Sequence, residues 1–173
     1  MSKRLFSSWM QRHVNDPYVK RAIKEGYRAR SAYKLLEINE KTRILKPGIR
    51  AIDLGSAPGG WSQVLSKKIS GGKIVSLDLL SMNPVPNCEF LKMDMRQEKT
   101  IEKIVEICPG GVQLIVSDLS PNHSGNTDLD CLEIIDLNNL VIDLAKKVIL
   151  NGGNVVMKML MGEFEHDHFV TYI

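Results

Sequence analysis

Three acidic residues stand at the ends of apolar segments, where strand-like and turn-like sequence meet. Asp53, Asp78 and Asp94 each end or follow such a segment. The carboxyl ends of parallel strands line one crevice, so we expect these carboxylates to face a common ligand, although each alone is more typical of a loop or cap residue. Asp78, about 20 residues after a glycine turn, is placed to accept both hydroxyls of a ribose. Asp94 is placed to accept an adenine amino group.

A glycine-rich turn follows the first of these segments, and its sequence is DLGSAPGGW at residues 53–61. Glycine lets the backbone approach a ligand, and the following helix points free N–H groups at it. The spacing is not G-x-G-x-x-G, and Pro58 lacks an N–H that a pyrophosphate would use. The alternative is a tight turn without a ligand. Together with the three acids, the turn favours adenosine without a phosphate chain, as in S-adenosylmethionine, over NAD.

A lysine, Lys158, interrupts the apolar strand candidate at 154–159. Burying an unpaired ammonium is costly. Either the stem of Lys158 therefore extends along a sheet edge until the ammonium reaches water, or the ammonium pairs with an opposite charge. Asp118 follows the preceding strand candidate, and we favour that pairing. Such a lysine takes the proton of a weakly acidic hydroxyl or, if it stays protonated, orients the hydroxyl and stabilises negative charge on its oxygen.

The charge of the chain is divided unevenly. Residues 1–50 hold 13 Lys/Arg and 4 Asp/Glu, a local charge of +9, and the remainder holds 10 Lys/Arg and 16 Asp/Glu, a local charge of −6. A basic arm is either a solvated tail or a surface that binds nucleic acid by releasing its counterions. The arm also has helical sequence, so we predict that Arg28, Arg30 and Lys34 contact nucleic-acid phosphates.

The elements that must position these residues follow from caps and periodicity. Asp16 and Pro17 begin a helix that ends near Gly26, and Ser31 begins a second. Strands are then predicted at 49–54, 73–77, 89–92, 112–117 and 154–159, and helices at 60–69, 99–107 and 131–150. A turn is predicted at 151–153. The alternation predicts an α/β fold of Rossmann-like type, a mostly parallel sheet with helices on both faces and a basic helical extension at the N-terminus.

Length and composition set the remaining limits. The chain has 173 residues, 43% of them hydrophobic, which predicts one domain with an extension at 1–48 and a core at 49–173. The sequence has no apolar run of the roughly 18 residues that a membrane helix needs and no secretory signal pattern. Its three cysteines have neither disulfide nor zinc-ligand spacing. We therefore expect a cytoplasmic protein without a metal.

Four ordered motifs resemble the FtsJ/RrmJ family of ribosomal RNA ribose 2′-O-methyltransferases. They are RSAYKL at 30–35, DLGSAPGGWSQ at 53–63, SDLSPN at 117–122 and MK at 157–158. The resemblance implies the S-adenosylmethionine-dependent methyltransferase fold and a catalytic set Lys-Asp-Lys-Glu, whose first three members match Lys34, Asp118 and Lys158. It implies cofactor contacts at the matching positions Gly59, Trp61, Asp78, Asp94 and Asp118.

The family pattern continues beyond the fifth strand with a helix, two more strands and the catalytic Glu. Glu163 and Glu165 stand too early to match that Glu. We therefore expect a C-terminally short chain that lacks the last two strands and leaves its fifth strand as an open edge. We expect this chain to have reduced activity. A complete chain would be monomeric.

The implied substrate is a ribose 2′-hydroxyl in ribosomal RNA, with a uridine of the large-subunit (23S) RNA favoured and transfer RNA as an alternative. Three other interpretations are a catalytically impaired RNA-binding factor of ribosome assembly, a methyltransferase for proteins or small molecules, and a nicotinamide-dependent oxidoreductase. The basic arm argues against the second, and the glycine spacing argues against the third.

Overall fold

The computed structural model of the chain describes residues 16–120, 125–160 and 167–172. Eleven elements follow one another in this part of the chain: α1 (Pro17–Glu25), α2 (Ala32–Thr42), β1 (Arg50–Leu54), α3 (Gly60–Lys68), β2 (Lys73–Asp78), β3 (Cys88–Lys92), α4 (Glu98–Ile107), β4 (Val112–Ser117), α5 (Thr127–Val148), β5 (Ile149–Leu160) and β6 (Asp167–Tyr172). The predicted alternation of strands and helices after a helical extension is confirmed.

One sheet carries the fold, with its described strands in the order β3-β2-β1-β4-β5-β6. β1 to β5 run parallel to one another. The strand order reverses between β1 and β4, which is where open α/β sheets bind their ligands. The loops that leave β1, β2, β3 and β4 therefore meet at the same edge.

The N-terminal extension folds as the local sequence predicts. The Asp16 side chain accepts the backbone N–H of Tyr18 at 2.8 Å, and Pro17 occupies the first helical position, where no hydrogen bond is lost. Gly26 ends α1 in the left-handed conformation, at φ 75°. Tyr33 on α2 is buried and packs against the rings of Tyr18 and Tyr27, which joins the two helices.

Apolar side chains on both faces of the sheet form the core. One face packs on α4 and α5, through residues such as Ile104, Val141 and Leu144. The other face packs on α2 and α3, through residues such as Leu35 and Leu65. The central strands are buried on both sides, which explains their nearly continuous apolar sequence.

The bounds of most elements lie within one residue of their predicted positions, but the turn predicted at 151–153 is wrong. β5 begins at Ile149 and runs through these residues. Its register against β4 moves from Val112↔Ile149 to Leu114↔Asn154, so three extra residues form a bulge. Gly152 has φ 76°, and a Cβ on Gly153 would lie 2.9 Å from the Leu150 carbonyl oxygen. Two adjacent glycines therefore allow a bulge where local sequence indicates a turn.

The expectation that the sheet ends with β5 is also wrong. β6 pairs antiparallel with β5, from Val155↔Tyr172 to Leu160↔Asp167. Its sequence, DHFVTY, holds the aromatic and β-branched residues that favour strands. The edge of β5 at Lys158 is therefore covered. Glu163, Glu165 and the first fifteen residues lie outside the described part of the chain.

Candidate active site

A cavity of about 680 Å³ opens at the carboxyl ends of the strands. Its walls combine apolar and acidic side chains. The apolar group includes Leu54, Leu77, Leu79, Leu80, Met93, Met95, Leu119, Leu137 and Leu140. Among the described residues, the charged side chains of the lining are those of Asp78, Asp94, Asp118, Glu133, Asp136 and Arg96. This lining suits a flat apolar ring together with hydroxyl or cationic groups, and it suits a phosphate chain poorly.

Asp78 ends β2 and connects the two loops that border the cavity. Its Oδ2 accepts the N–H of Ala57 in the glycine-rich turn at 2.8 Å, and its Oδ1 accepts the N–H of Leu80 at 2.8 Å. Each carboxylate oxygen keeps a second lone pair for a ligand hydroxyl. Asp78 thus lines the cavity and fixes the shape of the turn, and its contact with a ribose stays a prediction.

Asp94 lies in the cavity wall beside Arg96. Its Oδ1 accepts the Arg96 backbone N–H at 3.0 Å and the Arg96 Nε–H at 3.0 Å. The hydrogen bond from the Arg96 side chain lowers the pKa of Asp94, so the carboxylate is ionised at neutral pH. An ionised carboxylate accepts hydrogen bonds, as the predicted adenine contact requires. Sequence reasoning missed Arg96, which follows Asp94 by only two residues.

Gly59 and Trp61, predicted as cofactor contacts, do not line this cavity. Gly59 is buried at the N-terminus of α3 with φ 112° and lies against Arg28. The Trp61 indole is 2% exposed, and its N–H donates to the Ser31 carbonyl at 2.8 Å. Both residues therefore join the turn to the N-terminal extension, and their contact with a cofactor stays a prediction.

Lys158 and Asp118 meet, as predicted, at the edge of the cavity. Lys158 Nζ lies 3.9 Å from Asp118 Oδ1, and the two side chains are 12% and 20% exposed. Nζ also donates to Ser120 Oγ at 2.5 Å. The side-chain amide of Asn138 on α5 donates to the Lys158 carbonyl at 2.9 Å. Ser120 is part of the SDLSPN motif, but nothing in its type or spacing distinguished it as a partner of the lysine.

Lys34 on α2 belongs to the same charged group, because its charge interacts with those of Asp118 and Lys158. Burial lowers the pKa of Lys34, the Lys158 charge lowers it further, and Asp118 opposes both. Burial raises the pKa of Asp118, while the charges of Lys158 and Lys34 and a hydrogen bond from Ser31 lower it. The three residues predicted as a catalytic set thus interact electrostatically around Asp118, which lines the cavity.

Another carboxyl group, that of Asp53, is buried under the glycine-rich turn. Asp53 on β1 is 0% exposed, and its Oδ2 accepts a hydrogen bond from Ser62 Oγ at 2.6 Å. Ser62 Oγ also lies 2.9 Å from Ser76 Oγ. Burial raises the pKa of Asp53 to about 7. Asp53 does not line the cavity, so its predicted place among the ligand-facing acids is wrong: its side chain points into the packing of α3 on the sheet.

The predicted RNA-binding arginines have partners within the chain. Arg30, whose side chain is 55% exposed, pairs with Asp16. Arg28 donates from its guanidinium to the carbonyls of Pro58, Asn83 and Pro84. Both arginines are exposed, and they differ in their partners: Arg30 pairs with one carboxylate, whereas the Arg28 guanidinium donates to three carbonyls. Their contact with RNA stays a prediction.

The family model described as FtsJ-like methyltransferase matches residues 27–172, a range that contains every residue of this cavity. The chain belongs to this family. It is 45% identical over 167 residues to the ribosomal RNA large subunit methyltransferase E of Pseudomonas fluorescens, an alignment that covers 95% of the chain and 78% of the relative. It is 46% identical over 157 residues to the protein of the same name from Acinetobacter baylyi, covering 90% and 73%.

One solved structure agrees with this FtsJ-like assignment. A Plasmodium falciparum protein described as a putative ribosomal RNA methyltransferase superposes with a TM-score of 0.73 at 30% identity, covering 79% of this chain and 80% of that one. Within the described ranges, no helix is both long and apolar enough to cross a membrane. The same ranges place no group of three or more His, Cys, Asp or Glu residues to hold a metal ion.

Proposed function

We propose that this FtsJ-like methyltransferase uses S-adenosylmethionine to methylate a ribose 2′-hydroxyl in large-subunit ribosomal RNA, with a uridine as the favoured nucleotide. The observation that carries the proposal is the Lys34, Asp118 and Lys158 cluster at the edge of an acidic and apolar cavity. The names of the relatives in P. fluorescens and A. baylyi support the ribosomal substrate.

The cavity fits the donor in its chemistry. Asp78 and Asp94 offer acceptors for ribose hydroxyls and an adenine amino group, and the leucine and methionine side chains offer apolar walls for the purine. Even with Asp118 set aside as the partner of Lys158, the carboxylates among the described lining residues outnumber Arg96, which suits a ligand that carries a sulfonium and an ammonium. When bound, the donor supplies an electrophilic methyl group on its sulfonium sulfur.

Lys158 carries the chemistry at the acceptor. Its neutral Nζ would take the proton of the 2′-hydroxyl as that oxygen attacks the methyl group that a bound donor would supply, with the donor's sulfur as the leaving group. Asp118 and Ser120 hold Nζ from one side, at 3.9 and 2.5 Å, which fixes its direction toward the hydroxyl. A charged Lys34 stabilises negative charge on the attacking oxygen.

The N-terminal extension brings RNA to this cluster. Lys34 belongs both to the basic extension and to the catalytic cluster, so phosphate binding and catalysis share one surface. Arg30 on the same segment is exposed and adds positive charge. We assign the phosphate contacts mainly to Arg30 and Lys34, because the Arg28 guanidinium already donates to three carbonyls.

Incubation with methyl-labelled S-adenosylmethionine tests the proposal. Separate pools of large subunits, small subunits, free ribosomal RNA and transfer RNA are offered, and the label is then located by its resistance to alkaline cleavage at the methylated ribose. We expect label in large-subunit RNA at a 2′-oxygen. Label in transfer RNA would reassign the substrate. RNA binding without label in any pool would favour an assembly factor.

A further inference from the structure

The Arg28 side chain joins its own segment to two other segments of the chain. Its Nη1 donates to the Asn83 carbonyl at 2.6 Å and to the Pro58 carbonyl at 3.3 Å. Its Nη2 donates to the Pro84 carbonyl at 2.7 Å. Pro58 belongs to the glycine-rich turn, whereas Asn83 and Pro84 belong to the loop between β2 and β3. The two terminal nitrogens of the guanidinium lie apart in one plane and donate to both loops at once, whereas the three donors of a lysine ammonium leave from a single nitrogen.

Glycine at position 59 makes room for this contact. A Cβ built on Gly59 would lie 2.8 Å from Arg28 Nη1 and 3.2 Å from Arg28 Cδ. The φ of 112° at Gly59 is also one that side chains rarely adopt. The Arg28 side chain therefore crosses directly over the backbone of the glycine-rich turn.

The backbone around Arg28 is held in place as well. The Gln63 side chain on α3 accepts the Arg28 N–H at 2.8 Å and donates to the Gly26 carbonyl at 2.9 Å. These two bonds fix residues 26–28 against the start of α3. The Arg28 backbone is thus fixed relative to α3, and the hydrogen bonds of the guanidinium hold both loops relative to it.

Both loops that Arg28 joins also line the donor cavity. Ala57 comes from the glycine-rich turn, and Leu79 and Leu80 come from the loop after β2. Asp78 ties the same two loops together through the N–H groups of Ala57 and Leu80. Arg28 and Asp78 therefore hold one pair of loops at two different points, and only Asp78 lines the cavity.

We propose that Arg28 is a positioning residue for the methyl donor, holding the glycine-rich turn and the β2–β3 loop in the arrangement that makes the donor cavity. This inference rests on the proposed function for the identity of the donor. It assigns to Arg28 a role different from the phosphate contact that its charge and place in the sequence indicate. The N-terminal extension thereby shapes the donor site as well as serving RNA.

Substitution by lysine separates the two roles. Arg28→Lys keeps the positive charge that a phosphate contact needs, but an ammonium has no planar fork with which to join three carbonyls. Arg50→Lys is the matched control, because Arg50 also donates to a loop carbonyl, that of Pro109, but lies at the amino end of β1, away from the cavity. Gln63→Ala is a second variant that loosens the backbone of Arg28 and leaves its side chain intact.

Calorimetry with S-adenosylmethionine and hydrogen exchange of the donor-free protein are measured for each variant. We expect Arg28→Lys to weaken donor binding about ten-fold, with a smaller loss for Gln63→Ala and none for Arg50→Lys. Exchange at residues 79–87 should rise in Arg28→Lys without a donor present. At saturating donor, the turnover of Arg28→Lys should approach that of the wild type. The KM for the donor would then rise while kcat stays nearly unchanged, a result that general unfolding would not produce.

Two results would overturn the inference. One is donor affinity within about two-fold of wild type in both Arg28→Lys and Gln63→Ala, with unchanged exchange at 79–87. The other is a loss of RNA affinity in Arg28→Ala that Arg28→Lys restores, with donor affinity unchanged, which would make Arg28 a phosphate contact. If the wild-type protein itself bound no donor, the proposed function would fail instead, and the exchange measurement would still decide whether Arg28 holds the loops.

Discussion

Lys158 Nζ lies 3.9 Å from Asp118 Oδ1 and donates to Ser120 Oγ at 2.5 Å. The lysine is on β5 and its two partners follow β4, so adjacent parallel strands deliver the three groups to one edge of the sheet. The Lys158 side chain is only 12% exposed, and β6 covers the edge beside it. This geometry restricts the amine to a small set of directions, which is what proton transfer to a fixed base requires.

Replacing Lys158 by methionine should abolish the chemistry while preserving the donor site. Methionine keeps most of the buried stem but has no amine, so we expect methyl transfer to fall by about 10²–10⁴-fold. Single-turnover rates and donor affinity are measured together, with Lys146→Met, an exposed lysine on α5, as the control. Turnover near that of the wild type in Lys158→Met would remove the lysine from its assigned role.

Ser120→Ala tests whether the direction of the lysine matters. The substitution removes one acceptor of Nζ and leaves Asp118 in place. We expect kcat to fall by about ten-fold, since one hydrogen bond that orients Nζ is lost, with donor affinity nearly unchanged. Both residues line the cavity, but Asp118→Ala should damage both quantities, because it removes a carboxylate that contacts the lysine and faces the cavity, whereas Ser120→Ala removes only a hydroxyl. If Ser120→Ala and Asp118→Ala changed donor affinity equally, the separate roles assigned to Ser120 and Asp118 would be contradicted.

Asp78→Ala should weaken donor binding through two losses. The ligand loses its predicted ribose acceptor, and the N–H groups of Ala57 and Leu80 lose their partner. We expect affinity to fall by about 100-fold, the equivalent of roughly 3 kcal/mol. Calorimetry measures it, and Asp143→Ala, an exposed carboxylate on α5, is the control. Unchanged affinity in Asp78→Ala would place the donor elsewhere.

Asp53 should make stability fall as pH rises. Its folded-state pKa of about 7 lies above the ordinary value of 3.8, so the folded protein binds more protons than the unfolded chain between these values. The free energy of unfolding should therefore decrease with pH in this range, by up to about 1.4 kcal/mol per pH unit, and level off above pH 7. Asp53→Asn should remove this component.

Denaturant unfolding between about pH 5 and 8 measures the effect. The comparison is between slopes, because an asparagine amide also changes the absolute stability through its own unpaired N–H groups. Asp143→Asn, whose carboxylate is exposed, should keep the wild-type slope. Parallel curves for wild type and Asp53→Asn would show that Asp53 does not titrate in this range.

Arg30→Ala should reduce the salt dependence of RNA binding. Each lost phosphate contact lowers the slope of log affinity against log salt by about one unit. Arg30 is exposed and lies four residues before Lys34, on the side of the chain that we assign to RNA. Filter binding across a salt series measures the slope, with Arg50→Ala as the control. A slope unchanged from that of the wild type would place the RNA surface away from this segment.

Much of the fold follows from local sequence. Caps such as Asp16 and Gly26, and apolar runs such as 112–117, depend on neighbouring residues, and their elements lie where they were predicted. Parallel topology then brings the ends of β2 and β4 to one edge, which is why Asp78 and Asp118 share a cavity. Asp118 and Lys158 lie near the carboxyl ends of neighbouring predicted strands, so their pairing could be predicted from the sequence.

Other features depend on contacts between residues far apart in the chain, and only the tertiary structure decided them. Charge and position predict that Arg28 contacts RNA, which stays a prediction, but no local pattern indicates that its side chain also reaches carbonyls up to 56 residues away. Asp53 resembles a ligand-facing acid in the sequence, yet strand alternation turns it toward Ser62 and the packing of α3. Hydrogen-bond partners and burial are set by the three-dimensional packing of distant segments, whereas caps, periodicity and turn chemistry are set by adjacent residues.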